Sequence, residues 1–308
     1  MPTLHRHTDP ADFLAHAESF LLAAESENVL MLGICMQLAS GGQSPDSCYL
    51  ATVDSGGTVV ACALRTPPFS AVVTRAGRPA LDLLVTDLLA EYPDLPTAVG
   101  PEPSITAFAE LWSERTGGAA RPHVHMRLFE ARQVLPPPRP GGTCRVATEA
   151  DLPTVARWVE AFFDEVGLHD PSDPAEVVRE QIEEGSLRLW CDERPVSMAA
   201  WAGRTGRTLR INFVYTPPEH RGRGYASACV ASLTQALLDE GLHSCCLYAD
   251  LANPTSNKIY QAVGYRPICD VTEFRLVAGC HDYAARRTPA GSDDRPVLAE
   301  RKSLTGDS

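Results

Sequence analysis

The chain has 308 residues, of which 44% are hydrophobic and 21% charged, as in a folded globular protein of one or two domains. Its formal net charge of −12 at pH 7 argues against a nucleic-acid partner, because Lys and Arg contacts to phosphate dominate that affinity. The acidity favours cationic small molecules or amines only weakly, and it also serves solubility.

No stretch of the sequence has the apolar length that a bilayer requires, and residues 1–7 lack the apolar region of a signal peptide. We therefore expect a cytoplasmic protein without membrane association. Its ten cysteines are then expected to be reduced and mostly buried. Cys245 and Cys246 should point to opposite faces of one strand, which suits packing better than metal binding.

The first 130 residues are predicted to form helices and strands in alternation. Apolar spacing predicts helices, and β-branched or aromatic runs bounded by turn residues predict strands. The predicted helices cover residues 11–25, 81–91 and 104–115, and the predicted strands cover residues 48–53, 58–65, 71–73, 97–99 and 124–129.

His123 and His125 lie on the same side of the last of these strands, a spacing that would suit a metal. The sequence shows no third ligand beside them. We therefore predict no metal site.

Residues 131–142 are predicted to be a linker, because they contain the proline-rich run QVLPPPRPGG. Residues 281–308 are polar and poor in apolar side chains, so a disordered tail is expected there.

Between these segments, residues 143–280 repeat the order of elements found in the first 130 residues. This repetition predicts an internal duplication, with domains at residues 1–130 and 143–280. The predicted helices cover residues 151–166 and 175–184, with a loop at 167–174, and then the segments after Gly224 and after Asn253. The predicted strands cover residues 143–146, 186–191, 196–202, 209–215, 244–248, 267–270 and 272–277.

The most informative segment is the turn Arg221-Gly222-Arg223-Gly224-Tyr225-Ala226, which joins a strand to a helix. The first amides of a helix have no internal partner, and the helix dipole is positive at that end. A phosphate fits there, and the two glycines let it approach the backbone. The alternative is a surface turn with two solvated arginines.

This turn lacks the Lys-Ser/Thr ending of a P-loop and is too short for G-x-G-x-x-G. Its pattern, R-x-x-G-x-A, resembles the coenzyme A pyrophosphate turn of the GNAT superfamily of N-acetyltransferases. A second segment supports this resemblance, with an Asn, a small residue three positions on, a Tyr seven positions on and then Gly-aromatic. The chain supplies these as Asn253, Ser256, Tyr260 and Gly264-Tyr265.

The resemblance covers about residues 143–278. It implies an α/β (α+β mixed) fold in which a mixed, mostly antiparallel sheet is flanked by helices, here in two tandem copies. It also implies acetyl-CoA as co-substrate, lying where the strand before the turn and the strand before Asn253 diverge.

By this resemblance, backbone groups of one strand pair with the pantetheine arm, the turn binds the pyrophosphate, and two asparagines position the arm. Arg221 and Arg223 add positive charge. Asn253 has a purely structural alternative as a helix N-cap, and Asn257 as an exposed helix residue. The implied cofactor-binding residues are Val214, Tyr215, Thr216, Arg221, Gly222, Arg223, Gly224, Tyr225, Ala226, Ser227, Asn253 and Asn257.

The implied chemistry is direct attack of a neutral amine on the acetyl thioester. An amide near Val214 would polarise the carbonyl, and Tyr260 matches the tyrosine that protonates the leaving thiolate. The alternative for Tyr260 is an aromatic core residue.

A base is less easily assigned. Tyr248 occupies the position where some members carry a glutamate, and Asn212 is not a base. A water chain or an amine of low pKa serves equally well. The carboxylates and histidine in the predicted two-helix region are Glu165, His169, Asp170, Glu183 and Glu184.

The first copy departs from the motif. Arg78 stands where the turn needs glycine, and Pro79 removes an amide donor. We therefore expect that this half does not bind coenzyme A, and that it supplies part of the substrate cleft or stabilises the fold.

The favoured function is acetyl-CoA-dependent N-acetylation of a small-molecule or protein amine. The alternatives are a non-catalytic acyl-CoA-binding sensor and transfer of a longer acyl group. The amine acceptor, the base and the oligomeric state (monomer or homodimer) stay open from sequence.

Overall fold

The computed structural model of the protein describes residues 1–40, 48–138, 140–166, 173–277 and 279. The predicted tail at 281–308 and most of the predicted loop at 167–174 lie outside these residues.

Two copies of one order of elements, β-α-α-β-β-β-α-β-α-β, follow each other along the chain. This confirms the predicted duplication. The first copy contains β1 (Thr3–His7), α1 (Pro10–Ala23), α2 (Val29–Ala39), β2 (Tyr49–Ser55), β3 (Thr58–Arg65), β4 (Ala71–Val73), α3 (Arg78–Glu91), β5 (Thr97–Pro101), α4 (Ser104–Thr116) and β6 (Ala119–Ala131). The second contains β7 (Thr143–Val146), α5 (Leu152–Val166), α6 (Pro174–Glu183), β8 (Leu187–Asp192), β9 (Arg194–Ala202), β10 (Thr208–Tyr215), α7 (Tyr225–Asp239), β11 (Ser244–Asp250), α8 (Pro254–Val263) and β12 (Arg266–Val277).

All twelve strands form one sheet, in the order β1-β2-β3-β4-β5-β12-β6-β11-β10-β9-β8-β7. The β4–β5 and β10–β11 pairs are parallel and the other pairs antiparallel. The copies exchange their last strands, because β12 pairs with β5 of the first copy and β6 pairs with β11 of the second. The predicted fold class, a mixed and mostly antiparallel sheet with flanking helices, is therefore confirmed.

Two elements of the first copy were not predicted from the sequence. Helix α2 is apolar on nearly every side (VLMLGICMQLA), so it has no periodic polar face to reveal it. It is buried between the copies, where a Cβ on Gly33 would lie 2.7 Å from the Cα of Gly203. Strand β1 (TLHRH) is a largely exposed edge strand without apolar alternation.

The prediction of two final strands at 267–270 and 272–277 is wrong, because β12 is continuous. Its pairing with β6 shifts register between Pro267 and Cys269 and again between Glu273 and Phe274. These irregularities break the alternation that a sequence reading relies on.

Each copy packs helices on both faces of the sheet. In the first copy, α3 and α4 cover one apolar cluster and α1 and α2 cover the other. In the second, α7 and α8 cover one cluster and α5 and α6 the other. A smaller cluster joins the copies and includes Val29, Val99, Leu128, Cys246 and Val271. Cys245 belongs to the α7–α8 cluster, so the two adjacent cysteines do face opposite sides.

The connection between the copies is held against the second copy by hydrogen bonds. The Leu135 amide donates to the carbonyl of Val263 (2.8 Å), and the Trp190 indole donates to the carbonyl of Gly141 (2.9 Å). Gly142 has φ +101°, and a Cβ there would lie 2.1 Å from the Cys191 carbonyl oxygen, so only glycine fits.

Within the described ranges, no helix combines the length and apolar character needed to cross a membrane. The nine cysteines described are all free thiols.

Candidate functional site

Strands β10 and β11 diverge after a short parallel pairing, and the gap between them is called the fork below. Only residues 208–210 pair with residues 244–246. Beyond this, β11 stays paired with β6 as far as Asp250, while β10 follows β9 to Tyr215. The fork lies at the position expected for the pantetheine arm.

A bulge in β10 directs backbone groups into this fork. Phe213 has φ +46°, and the pairing with β9 shifts between Asn212 and Tyr215. Before the bulge Ile211 faces the α7–α8 cluster, whereas after it Val214 does. The bulge therefore takes Val214 out of the β9 ladder. A positive φ at phenylalanine is strained, and the sequence contains no glycine that would have signalled it.

Of the three predicted arm-binding residues, Val214 is the one whose backbone groups make the fewest hydrogen bonds within the protein. The Tyr215 carbonyl accepts from the Ser197 hydroxyl (3.1 Å), and the Thr216 carbonyl accepts from Nε of Arg221 (2.8 Å).

The predicted phosphate turn has the backbone that the sequence required. Gly222 and Gly224 have φ +75° and +82°, and Gly224 is the N-cap of α7 without any side-chain cap. The Ala228 amide donates to the Gly224 carbonyl (3.0 Å), so residues 225–227 present the unpaired first amides of the helix. A Cβ at either glycine would meet nothing within 4 Å, so this face is open.

The two arginines of the turn have different surroundings. Nη2 of Arg221 lies 2.6 Å and 2.8 Å from the two carboxylate oxygens of Glu165, and its guanidinium stands 5.6 Å from the Tyr215 ring centroid. Arg223 is exposed. Arg223 is therefore the arginine of the turn whose charge is not balanced by a carboxylate within the described residues.

Tyr225 is anchored beneath the turn. Its ring is buried and its hydroxyl donates to Asp192 (2.5 Å), a hydrogen bond that raises the pKa of Tyr225. The side chain thus holds the start of α7 against β8. The backbone amides of Tyr225, Ala226 and Ser227 point out of the N-terminal end of the helix.

The second motif forms the connection from β11 to α8. Asn253 is the N-cap of α8, with Oδ1 accepting from the Ser256 amide (3.1 Å), and Pro254 opens the helix. Nδ2 of Asn257 donates to the carbonyls of Asp250 and Asn253, both at 2.7 Å. Both asparagines therefore have structural roles. Nδ2 of Asn253 makes no hydrogen bond to the described residues.

Tyr260 lies on α8 and is 8% exposed as a residue, with its ring centroid 6.4 Å from that of Phe129 and 6.1 Å from that of Tyr265. Burial raises the pKa of Tyr260 to about 12, so the phenol is neutral at ordinary pH. Its hydroxyl has no hydrogen-bond partner in the described part of the chain. A neutral, unpaired phenol can donate a proton, and Tyr260 belongs to the same apolar cluster as Val214 of β10.

The candidate bases are spread over the two-helix region. Glu165 is ion-paired with Arg221, while Glu183 and Glu184 are exposed at the end of α6. His169 and Asp170 lie outside the described residues. Tyr248 is half-buried on β11, and burial raises its pKa well above the usual range, so it remains a neutral phenol.

The equivalent fork of the first copy is closed. A Cβ on Gly100 of β5 would lie 2.5 Å from the Val73 carbonyl oxygen of β4. The space left between these strands and α2 is a cavity of about 20 Å³, which suffices for one water molecule. The first helix after this fork begins with Arg78 and Pro79.

The two strand histidines of β6 pair within the sheet. Nδ1 of His125 lies 3.1 Å from the Thr272 hydroxyl, and Nε2 of His123 lies 3.3 Å from Arg275. Across the residues that the structure covers, no group of three or more His, Cys, Asp or Glu side chains is arranged to hold a metal.

Two buried polar atoms near the fork were not anticipated from sequence. Oδ1 of Asn212 and Nδ1 of His220 are buried without a hydrogen-bond partner among the described residues. Neither belongs to a motif, so only the three-dimensional packing identifies them.

The sheet, the fork and the glycine turn define the GNAT acetyltransferase fold, present here in two tandem copies. Residues 190–275 match the model of the FR47-like protein family, which is GNAT-like. By sequence, the chain matches no curated protein.

Several solved structures share the fold over nearly the whole chain. A GCN5-related N-acetyltransferase from Sphaerobacter thermophilus is 16% identical (TM-score 0.62), over 92% of this chain and 98% of that one. A tandem GNAT protein from the clavulanic acid biosynthesis pathway is 14% identical (TM-score 0.57), over 92% and 100%. A GNAT-family acetyltransferase from Colwellia psychrerythraea is 10% identical (TM-score 0.56), over 89% and 100%. The expected resemblance is therefore confirmed at the level of fold.

Proposed function

We propose that the protein is an acetyl-CoA-dependent N-acetyltransferase that transfers the acetyl group directly to a primary amine. The observation that carries this proposal is the open β10–β11 fork, with the glycine turn at one end and, in the apolar cluster that Val214 joins, a Tyr260 hydroxyl without a partner among the described residues.

In this proposal the pyrophosphate binds the amides of residues 222–227, and the exposed Arg223 adds charge. The helix N-terminus supplies both donors and a favourable dipole. Arg221 acts on the turn indirectly, through Glu165 and the Thr216 carbonyl. Nδ2 of Asn253 is available to an acceptor on the pantetheine arm. Asn257 fixes the backbone of Asn253 by donating a hydrogen bond to its carbonyl.

The proposed reaction has one bond-forming step at the thioester. The amine nitrogen attacks the carbonyl carbon, whose oxygen accepts a hydrogen bond from the Val214 amide. The carbon–sulfur bond then breaks, and Tyr260 gives its proton to the leaving sulfur. The ammonium first loses one proton to water, since no carboxylate of the described residues is assigned to that task. After the attack the nitrogen loses a second proton, which returns through water to the Tyr260 phenolate, so the products are the amide, the coenzyme A thiol and one released proton.

We further propose that only the second copy binds the coenzyme. The closed fork at Gly100 and the start of α3 with Arg78 and Pro79 support this assignment. The first copy then has two structural roles: α2 packs against the second copy, and β6 pairs with β11 of the second copy.

The test combines calorimetry with a thiol-release screen. Acetyl-CoA should bind with one equivalent per chain, and at least one amine of a broad panel should release free coenzyme A thiol. The Gly224→Asp variant, which places a carboxylate where the pyrophosphate is proposed, serves as the blank. Binding without thiol release from any amine would favour the acyl-CoA sensor. No heat at millimolar acetyl-CoA would contradict both.

A further inference from the structure

Three polar side chains without partners lie on one face of the sheet at the fork. Arg210 is half-buried and makes no hydrogen bond or ion pair with the residues that the structure describes. Oδ1 of Asn212 is buried and unpaired, and the hydroxyl of Tyr248 has no partner in the same part of the chain. An unpaired buried polar atom such as Oδ1 of Asn212 is costly, so its place beside the unpaired Arg210 needs a reason.

Strand register places these side chains on the same face. Arg210 is paired with Cys246, so their side chains point to one side, as do those of Asn212 and Tyr248 two residues further along each strand. Cys246 and Tyr248 belong to the cluster that joins the copies, opposite the α7–α8 cluster. The α7–α8 face is filled with apolar side chains, so the polar side chains at the fork lie on the opposite face.

The carboxylates closest to this face are already used by other groups. Glu25 accepts from the Thr205 hydroxyl (2.5 Å) and the Arg207 amide (2.9 Å). Glu130 accepts from Ser26 (2.6 Å) and Arg132 (2.8 Å). Glu27 likewise forms two hydrogen bonds with Arg75 (3.0 and 2.8 Å). None of these carboxylates forms an ion pair with Arg210, so its guanidinium has no carboxylate partner among the described residues.

We propose that the acetyl acceptor is an amine that also carries a carboxylate, and that Arg210 binds this carboxylate. This inference rests on the proposed acetyl transfer at the same fork. The planar guanidinium offers a pair of parallel donors that match the two oxygens of a carboxylate. Asn212, two residues closer to the bulge, accepts a hydrogen bond from the amine through Oδ1. Tyr248 has no part in this binding, because its side chain lines the small cavity at the closed fork of the first copy.

The test uses matched pairs that differ only in charge: glycine, 4-aminobutyrate, lysine and phenylalanine, each against its carboxamide. For the accepted compound we expect kcat/KM to be about 30- to 100-fold higher for the carboxylate, the size of a charged hydrogen bond. Arg210→Gln should abolish this preference by lowering turnover of the carboxylate compound only. Arg210→Lys should retain part of it, because the charge stays and the paired geometry is lost.

Arg121→Gln is the matched control, because it removes an equally charged, exposed side chain near the start of β6 in the first copy. This variant should leave kcat/KM unchanged for both the carboxylate and the carboxamide. Circular dichroism and the acetyl-CoA affinity of each variant show that the fold and the coenzyme site are intact.

Binding to the coenzyme A complex, measured by calorimetry with the same pairs, separates the two proposals. Preferential carboxylate binding that is lost in Arg210→Gln, without any acetyl transfer, would overturn the proposed function and retain the carboxylate site. Transfer with equal efficiency for acid and carboxamide would overturn the carboxylate site alone. Absence of both binding and transfer for every pair overturns both.

Discussion

Nη2 of Arg221 donates to both carboxylate oxygens of Glu165 (2.6 and 2.8 Å), and in the first copy Nε and Nη2 of Arg75 donate to the two oxygens of Glu27 (3.0 and 2.8 Å). Each arginine opens the turn after the fourth strand of its copy. Each carboxylate lies near or just after the end of that copy's first helix. The first copy has this ion pair although its fork is closed. We therefore interpret the pair as a structural contact that fixes the conformation of the turn.

This interpretation predicts that Glu165→Gln weakens acetyl-CoA binding, by about three- to tenfold, because the turn is less well fixed. Both partners are half exposed, so the loss of stability should be small, about 0.5 kcal/mol. If Arg221 instead contacted the phosphates directly, freeing it from Glu165 would strengthen binding. Calorimetry distinguishes the two, with Glu160→Gln on the exposed side of the same helix as the control.

Gly224→Ala should reduce acetyl-CoA affinity at least tenfold while the fold survives. The methyl group has free space in the protein, so its cost is the positive φ, about 1–2 kcal/mol. It would, however, stand where the phosphate approaches. Gly241→Ala is the matched control, since Gly241 also has positive φ (+96°) and free space, at the other end of α7. Equal binding by the two variants would argue against a phosphate at the turn.

Tyr260→Phe should lower kcat by about 10- to 1000-fold with nearly unchanged acetyl-CoA affinity, as expected for loss of a general acid. Because burial raises the pKa of Tyr260 to about 12, its ionisation should not limit the rate below pH 10. The control is Tyr265→Phe, which breaks a buried hydrogen bond to Thr234 (2.7 Å) and should cost stability without slowing transfer. A wild-type rate for Tyr260→Phe would remove this residue from the mechanism.

Asp151→Asn should destabilise the protein by about 1–2 kcal/mol at pH 7, through the capping box with Thr148 and the ion pair with Arg145. Hydrogen bonds from Arg145 lower the pKa of Asp151 to about 2. A lowered pKa means that the stabilisation is complete above the unfolded-state pKa, near 4, and is lost as the pH falls towards 2.

The difference in unfolding free energy between wild type and Asp151→Asn should therefore shrink between pH 4 and pH 2. Urea titrations at several pH values measure it. A constant difference across this range would show that the carboxylate charge is not the cause. Glu149→Gln, in the same turn but exposed, is the control.

The strand exchange predicts that the second copy does not fold well by itself. A fragment of residues 143–280 lacks β6, which covers β11 on one side and β12 on the other. The fragment also lacks β5, so β11 loses one neighbour and β12 loses both. The three unpaired strand edges should make it aggregate. The full chain cut by a protease within residues 132–142 should instead stay associated and folded. A monomeric, cooperative 143–280 fragment would show that the predicted domain boundary is also a folding boundary.

Local chemistry explains why much of the candidate site could be predicted from sequence. The turn at Gly222 and Gly224 needs positive φ, and the Asn253-Pro254 start of α8 needs a cap and a residue without an amide. Each requirement selects residue types at fixed spacing. Most helices and strands of both copies were predicted for the same reason, through their apolar periodicity.

The sequence by itself determined most of the duplicated order of elements, the glycine turn and the N-cap of α8, because these depend on neighbours along the chain. Only the tertiary structure decided the exchange of β6 and β12, the closed fork at Gly100 and the apolar helix α2 between the copies. It also paired Arg221 with Glu165, 56 positions away, and left Arg210 unpaired. Such contacts join residues distant in sequence, and no local pattern of spacing or propensity records which side chains will meet.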